Sequence, residues 1–420
     1  MNYLILLYAL LFFFVSFFKP RWALFLILAF LPSYLIRFKI YFIPFTLLEL
    51  MILLLFLNFL LKRGREFFSL KFLKKSLNSL LWPILFLLLA SAFSLLSAPD
   101  LRAALGIFKA YFVEPAIFLI IFVSEIKRKK DFKIIIWAFG FLIIYLSLFA
   151  FYQKITGNFI PLSQWQNPET RRVTTFFSSP NALALLLGPL LILYLGWLLQ
   201  DLKDFSLNFS KIFFFNLKAI ILFTGILAII FSVSKGGWLA LILASSFLLF
   251  FYFLRKKTLF ILLLLLVVPL FLKYSLPFLT FENPSVQARL ILWEKTFQIL
   301  KERPIWGTGL SGFSYYFEPL RPKTKIEPHI YPHNFFLNFW TEIGLLGVIS
   351  IIWLLLKYFQ ENFSLFKSKD FFQKTWGLIL ISAMIEILIH GLVDVPYFKN
   401  DLSLLFWTIL ALTLSLKKLK

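Results

Sequence analysis

The groups that could do chemistry are few and lie far apart along this 420-residue chain. The first set is Arg171-Arg172-Val173-Thr174-Thr175-Phe176-Phe177-Ser178-Ser179-Pro180-Asn181. Guanidinium groups grip phosphate oxygens in a bidentate fashion, so adjacent arginines are a candidate clamp on a phosphorylated ligand. Contact with lipid headgroups is the plainer reading, and both stay open. Ser178, Ser179 and Asn181 precede an apolar run and suit helix capping, the role expected of Asn181, at a helix end that also favours anions. A second set, Ser234-Lys235-Gly236-Gly237-Trp238, is a tight turn made by glycine. Its Lys235 either snorkels to a membrane interface or meets a phosphate.

A third set runs from Gln287 to Arg303. Leu290, Trp293, Phe297 and Leu300 recur at three- and four-residue steps, the pattern of an amphipathic helix lying on a membrane surface. Arg289 and Trp293 share one face of it. The following Pro304-Ile305-Trp306-Gly307-Thr308-Gly309-Leu310-Ser311-Gly312-Phe313 permits close backbone approach but has neither the spacing nor the preceding strand of a nucleotide fingerprint. Fourth, Pro332-His333-Asn334 brings a histidine to the start of an apolar run. Imidazole titrates near neutral pH and can act as a general base; facing headgroups is its bland alternative. His329 has no comparable support. Fifth, Glu386, His390 and Asp394 recur every four residues, which predicts one helix face. Ionisable groups inside a span face a bundle interior or a watery cavity, here as a stitch between helices, a support for a nearby site, or a proton relay.

The elements that position these groups follow from composition. Hydrophobic residues make up 60% of the chain and charged residues 15%, against about 45–50% and 25% in soluble domains. The excess falls in blocks long enough to cross a bilayer as helix, without the alternation of a strand barrel. The expected fold is all-α, a polytopic transmembrane bundle of about 12 or 13 spans in one domain over residues 1–416. The spans fall near 3–18, 22–36, 43–61, 80–98, 105–124, 134–153, 182–199, 219–234, 237–254, 258–279, 335–359, 375–395 and 402–416. Pro32 interrupts the second, and the first is expected to be a retained span rather than a cleaved leader.

The absence of cysteine excludes disulfides and thiolate chemistry. Three histidines and no paired acids point to neither a metal nor another cofactor. The net charge of +23 is carried by short loops, as the positive-inside rule requires, so it does not point to nucleic acid. The basic loops 62–75, 127–130, 255–257, 367–374 and 417–420 are separated by even numbers of spans and can all face the cytoplasm, placing the C-terminus there. Loops 154–181 and 280–334, the Lys235 turn and the end of the span at His390 then meet outside. Loop 280–334 is the large extracytoplasmic loop holding the amphipathic helix.

Taken in order, these pieces resemble the O-antigen ligase family, relatives of O-antigen polymerases and bacterial protein O-oligosaccharyltransferases. The resemblance rests on Arg172 with Pro180-Asn181, Ser234-Lys235-Gly236-Gly237-Trp238, Arg289 with Trp293, Pro304-x-x-Gly307-x-Gly309 with Phe313, His333-Asn334, Glu342-x-Gly344-x-x-Gly347, and His390-Gly391 with Asp394. It covers about residues 80–416 and is strongest over 171–395. It implies a metal-free, inverting membrane glycosyltransferase of the bacterial inner membrane. Such an enzyme moves a glycan from an undecaprenyl diphosphate carrier to a glycan, lipid or protein acceptor outside the cytoplasm. His333 resembles the family's catalytic base, and Arg172 its essential diphosphate-binding arginine. Arg289 resembles a further basic residue near the diphosphate, and Lys235 stands where the family commonly has arginine, keeping charge but not bidentate geometry. Arg171, Asn181, Trp293, Asn334, His390 and Asp394 are expected to line the substrate site.

The alternative is a lipid-linked glycan flippase or another secondary transporter, which predicts ionisable groups near the midplane and repeat symmetry. Glu114 and Glu386 keep it open, while no repeat supports it. A scaffold protein leaves the convergence of Arg172, Arg289 and His333 unexplained.

Overall fold

The computed structural model describes residues 3–41, 43–203, 208–253, 284–322 and 329–419. The expected span 258–279, the basic loop 255–257 and part of the large loop lie outside the described residues. The chain is an all-α bundle; among the described residues the only sheet is a two-stranded antiparallel hairpin, β1 (Arg37–Ile40) with β2 (Ile43–Thr46). The helices are α1 (Tyr3–Phe18), α2 (Pro20–Ala29), α3 (Leu47–Phe67), α4 (Leu70–Leu77), α5 (Leu81–Phe93), α6 (Leu101–Phe108), α7 (Glu114–Glu125), α8 (Lys129–Thr156), α9 (Pro180–Lys203), α10 (Phe209–Ser232) and α11 (Lys235–Tyr252). They continue with α12 (Pro284–Glu302), the single turn α13 (Phe313–Phe317), α14 (Phe335–Phe366), α15 (Phe371–Gly391) and α16 (Asn400–Leu416).

Eight helical stretches among the described residues are long and apolar enough to cross a membrane, and three shorter apolar helices, α1, α2 and α16, accompany them. The expected second span, 22–36, is not one helix. α2 ends at Ala29 and Leu31–Leu35 winds as 3-10 helix, because Pro32 cannot continue the α-helical ladder. The expected span 43–61 likewise begins as strand β2 and turns helical only at Leu47, where Thr46 and Glu49 form a reciprocal capping box.

Burial identifies the centre. In α9 89% of the apolar window is buried within the protein, against 28% in α10 and 22% in α11. α9 therefore runs through the middle, packed by α8, α10, α11 and α15, while α10 and α11 turn much of their surface to lipid. On one face of the bundle Lys129 pairs with Asp370 at 2.9 Å and Lys418 donates to the Ser76 carbonyl at 2.8 Å. Loops 62–79, 126–128, 367–370 and 417–419 thus gather on this basic face, as their even spacing along the sequence predicts. The opposite face, called the loop face below, carries the long connections before α9, α14 and α16.

α14 is not continuous. Gly344 has φ 76° and ψ −169°, a conformation open to glycine and hardly to anything else. The glycine-rich loop after α12 fills the break. Leu345 N–H donates to the Ile305 carbonyl at 2.9 Å, and the Thr341 carbonyl accepts from Thr308 N–H at 2.6 Å. Glu342, fully buried, accepts from Ser311 N–H at 2.6 Å and Phe313 N–H at 3.3 Å. A Cβ on Gly307 would lie 2.3 Å from the Thr341 oxygen. Gly307, Gly344 and Glu342 of the sequence motif are therefore a backbone lock between loop and helix.

Candidate active site

The loop between α8 and α9 enters the site first. Gln153, completely buried near the end of α8, accepts from Thr174 N–H (2.9 Å) and Thr175 N–H (2.7 Å) and donates to the Thr175 carbonyl (3.1 Å). It pins residues 173–175 and with them Arg172. The Arg172 guanidinium donates to the carbonyls of Ser232 (3.1 Å) and Val233 (3.3 Å) at the end of α10, and to Asn181 Oδ1 (3.4 Å). A cation at a helix C-terminus meets the negative end of the macrodipole. Val233 itself has φ 52°, a rare conformation for a β-branched residue, and it makes the sharp turn that starts α11 at Lys235. Gly236 and Gly237 leave room there for His390: a Cβ on Gly237 would lie 3.2 Å from the imidazole Cε1.

Asn181 sits in the first turn of α9, which begins at Pro180, so it is not the capping residue expected of it. Ser179 Oγ takes the Asn181 N–H instead, at 3.3 Å. The Asn181 side chain bridges Arg172 to Asp394, donating to Asp394 Oδ2 at 3.0 Å. Asp394 also departs from expectation. α15 ends at Gly391, so Asp394 leaves the face it would share with Glu386 and His390. Its Oδ1 accepts from Val395 N–H at 2.9 Å and lies 3.1 Å from His333 Nδ1.

His333 stands at φ 47° in a segment held on all sides. Tyr331 is partly buried and packs on Phe398, the Pro332 carbonyl accepts from Trp293 Nε1 at 3.0 Å, and Asn334 caps α14 through Leu337 N–H while donating to the Leu392 carbonyl, both at 3.0 Å. The caps and ties make this turn rigid, worth about 1 kcal/mol for Asn334 alone. Arg289 donates to the Val393 carbonyl at 2.9 Å and to Ser285 Oγ at 2.8 Å, bringing α12 onto the Asp394 turn.

Electrostatics add a sign to this geometry. Burial works to raise the Asp394 carboxyl, but the bonded and attracting His333, then His390 and the Val395 N–H, overcome it and hold it well below the usual carboxylate range. An ionised carboxylate only accepts, so His333 donates from Nδ1 to Asp394 and its Nε2 points away from that carboxylate. The His333 side chain is 31% exposed and Asp394 7%, so an accessible imidazole rests on a buried carboxylate. Burial lowers the hold of Arg172 on its proton, and the nearby charge of Arg289 lowers it further. Arg172 also acts electrostatically on Lys235. Arg172 is thus within electrostatic reach of both Arg289 and Lys235.

Of the remaining expected residues, not all enter the cluster. Arg171 is buried and donates to the carbonyls of Lys154 (2.8 Å) and Ile155 (3.0 Å) at the end of α8, and of Gln166 (3.0 Å). His390 is buried behind the Gly236-Gly237 turn, 3.7 Å from Glu386 Oε1. Trp293 and Asn334 hold the His333 turn. Glu114 sits in the bundle under the electrostatic influence of Glu49 and Lys109. The residue that sequence reasoning missed is Gln153; its signal was a lone amide at the end of an apolar run. The bundle and its site define a polytopic membrane protein whose cations and histidine converge on one face. Residues 220–352 match the family described as O-antigen ligase, a stretch that includes Lys235, Arg289, Trp293, His333 and Glu342. No curated protein matches the chain.

Proposed function

We propose that the protein is a glycosyltransferase of the O-antigen ligase type, working at the extracytoplasmic face of a bacterial inner membrane with its C-terminus in the cytoplasm. The donor is a glycan linked to undecaprenyl diphosphate. The observation that carries the reading is the unbroken bridge Arg172–Asn181–Asp394–His333, which fixes a phosphate-binding cation and a base in one frame.

In this reading Arg172, Arg289 and Lys235 hold the diphosphate. An acceptor hydroxyl gives its proton to His333 Nε2 as its oxygen bonds to the anomeric carbon. The bond from that carbon to the phosphate oxygen breaks, and its electron pair leaves on undecaprenyl diphosphate. One displacement inverts the anomeric centre. Negative charge grows on the leaving diphosphate, where fixed cations lower the barrier most, and Asp394 stabilises the imidazolium that forms. The match to the O-antigen ligase family supports the donor chemistry; the acceptor is a glycan, a lipid or a protein.

The test uses purified protein in liposomes with an undecaprenyl-diphosphate-linked oligosaccharide and a crude membrane acceptor fraction. Mass spectrometry follows release of undecaprenyl diphosphate and growth of product. Release that needs both acceptor and His333 is expected, with His333→Ala slower by about 10²–10⁴-fold. Movement of the glycan between leaflets without release would identify a flippase instead.

A further inference from the structure

Two of the chain's three histidines lie side by side. The rings of His329 and His333 have centroids 5.0 Å apart and stand at 86° to one another. The geometry points to His329 as an acceptor-binding residue, which takes a second hydroxyl of the acceptor while His333 deprotonates the first. This rests on the glycosyltransferase reading above and narrows it: the acceptor is a carbohydrate bearing hydroxyls on neighbouring carbons, rather than a serine side chain or an amine.

The argument starts from the pinned turn. Tyr331, Pro332 and Asn334 are each tied down, so His329, two residues before Tyr331, is delivered to the site by an anchored chain. The ring is half-buried, and the charged and titratable groups acting on it are His333, Arg289, Asp394 and Arg321. Burial lowers its pKa to about 4, with the charges of His333 and Arg289 adding to the effect. An unprotonated imidazole both donates and accepts a hydrogen bond. It can therefore serve a hydroxyl in either direction without adding a fourth positive charge beside the imidazolium that forms at His333. A nucleophile with a single hydroxyl needs one base; a second imidazole at this distance finds a partner when the neighbouring carbon also carries a hydroxyl. Leaving that hydrogen-bonding group unmatched selects against such a nucleophile by about 10-fold.

The experiment uses the full chain in liposomes with the same donor and the crude membrane fraction as acceptor. The fraction is used untreated, or after periodate and borohydride, which cleave vicinal diols and spare internal serine and threonine. Periodate is expected to abolish acceptor capacity. His329→Ala should raise the acceptor concentration for half-maximal rate about 10-fold, with a much smaller fall in maximal rate, and His329→Gln, which keeps a donor and an acceptor, should restore most of it. Acceptor capacity that survives periodate overturns the proposal. So does His329→Ala with unchanged kinetics, or with maximal rate and half-saturation failing together and no rescue by Gln, the mark of a structural role. Wild-type release by His333→Ala would instead sink the underlying glycosyltransferase reading, whatever His329 does.

Discussion

On the basic face, Arg21 and Arg128 both close on Asp131, at 3.0 and 3.1 Å. Lys129 meets Asp370, Lys218 meets Asp201 and Lys417 meets Glu361. On the loop face, Arg172 spends its hydrogen bonds on two carbonyls and an amide oxygen, and Arg289 on a carbonyl and on Ser285. Asp394, in the same cluster, is engaged by His333, Asn181 and Val395. Among the described residues no carboxylate neutralises Arg172 or Arg289 by direct pairing. A half-buried cation without a counter-ion still pays part of its desolvation cost; the helix-end carbonyls recover some of it, and an anionic ligand would recover more. The basic-face cations are matched by carboxylates, whereas Arg172 and Arg289 on the loop face are held by carbonyl, amide and hydroxyl oxygens.

Substitutions can break or sharpen this contrast. The largest effect is expected at Arg172: Arg172→Ala should slow donor release by about 10²–10³-fold while far-ultraviolet circular dichroism stays at wild type. Loss of helix would instead make Arg172 a structural residue like those opposite. Asp394→Asn should follow, with transfer reduced about 100-fold because the amide no longer fixes the His333 tautomer. The carboxyl titrates below its ordinary range. Its stabilising share is thus complete at any pH above the unfolded aspartate value of about 3.9 and is lost as pH falls from there through the folded value. Asp394→Asn should be less stable than wild type at pH 7 and show a shallower loss on acidification below about pH 4, which acid titration followed by fluorescence would register. Lys235→Ala should cost about 10-fold in donor half-saturation and Lys235→Arg little; a large loss in the arginine variant would assign Lys235 to the turn rather than to phosphate. The smallest effect on turnover is expected at Arg171. Arg171→Ala should leave transfer within about 3-fold while lowering stability by about 1–2 kcal/mol, seen in thermal denaturation.

Arg171 and Arg172 also show how far the sequence could be read. Paired arginines look like one clamp, but residues 171–174 have no helical winding, and neighbouring side chains leave such a chain on different sides. One caps α8 and the other enters the site. The helical bundle, the basic face and the convergence of Arg172, Arg289 and His333 were legible, because apolar block length and Lys/Arg bias are written in every span. Asp394 was legible as a polar residue near the site but not in its role, since four-residue spacing assumes a helix that in fact stops at Gly391 before Pro396. Asn181 was misplaced by two residues at a helix start, since α9 begins at Pro180 rather than at 182, enough to exchange a cap for a bridge. Gln153 carries no motif; its role exists only once α8 and the Thr174 backbone meet.

The break at Gly344 bears on how the chain is made. α14 lacks its own partner for Leu345 N–H and lends the Thr341 carbonyl away, so alone in hydrocarbon it would carry unmet backbone groups, costing several kcal/mol. The segment that completes it, residues 304–313, precedes α14 in the chain and is synthesised before it. The late helix is finished by an early loop. Membrane integration of α14 and closure of the loop around it are therefore one assembly event, and a lesion in the loop would be felt first as failed biogenesis rather than as failed catalysis.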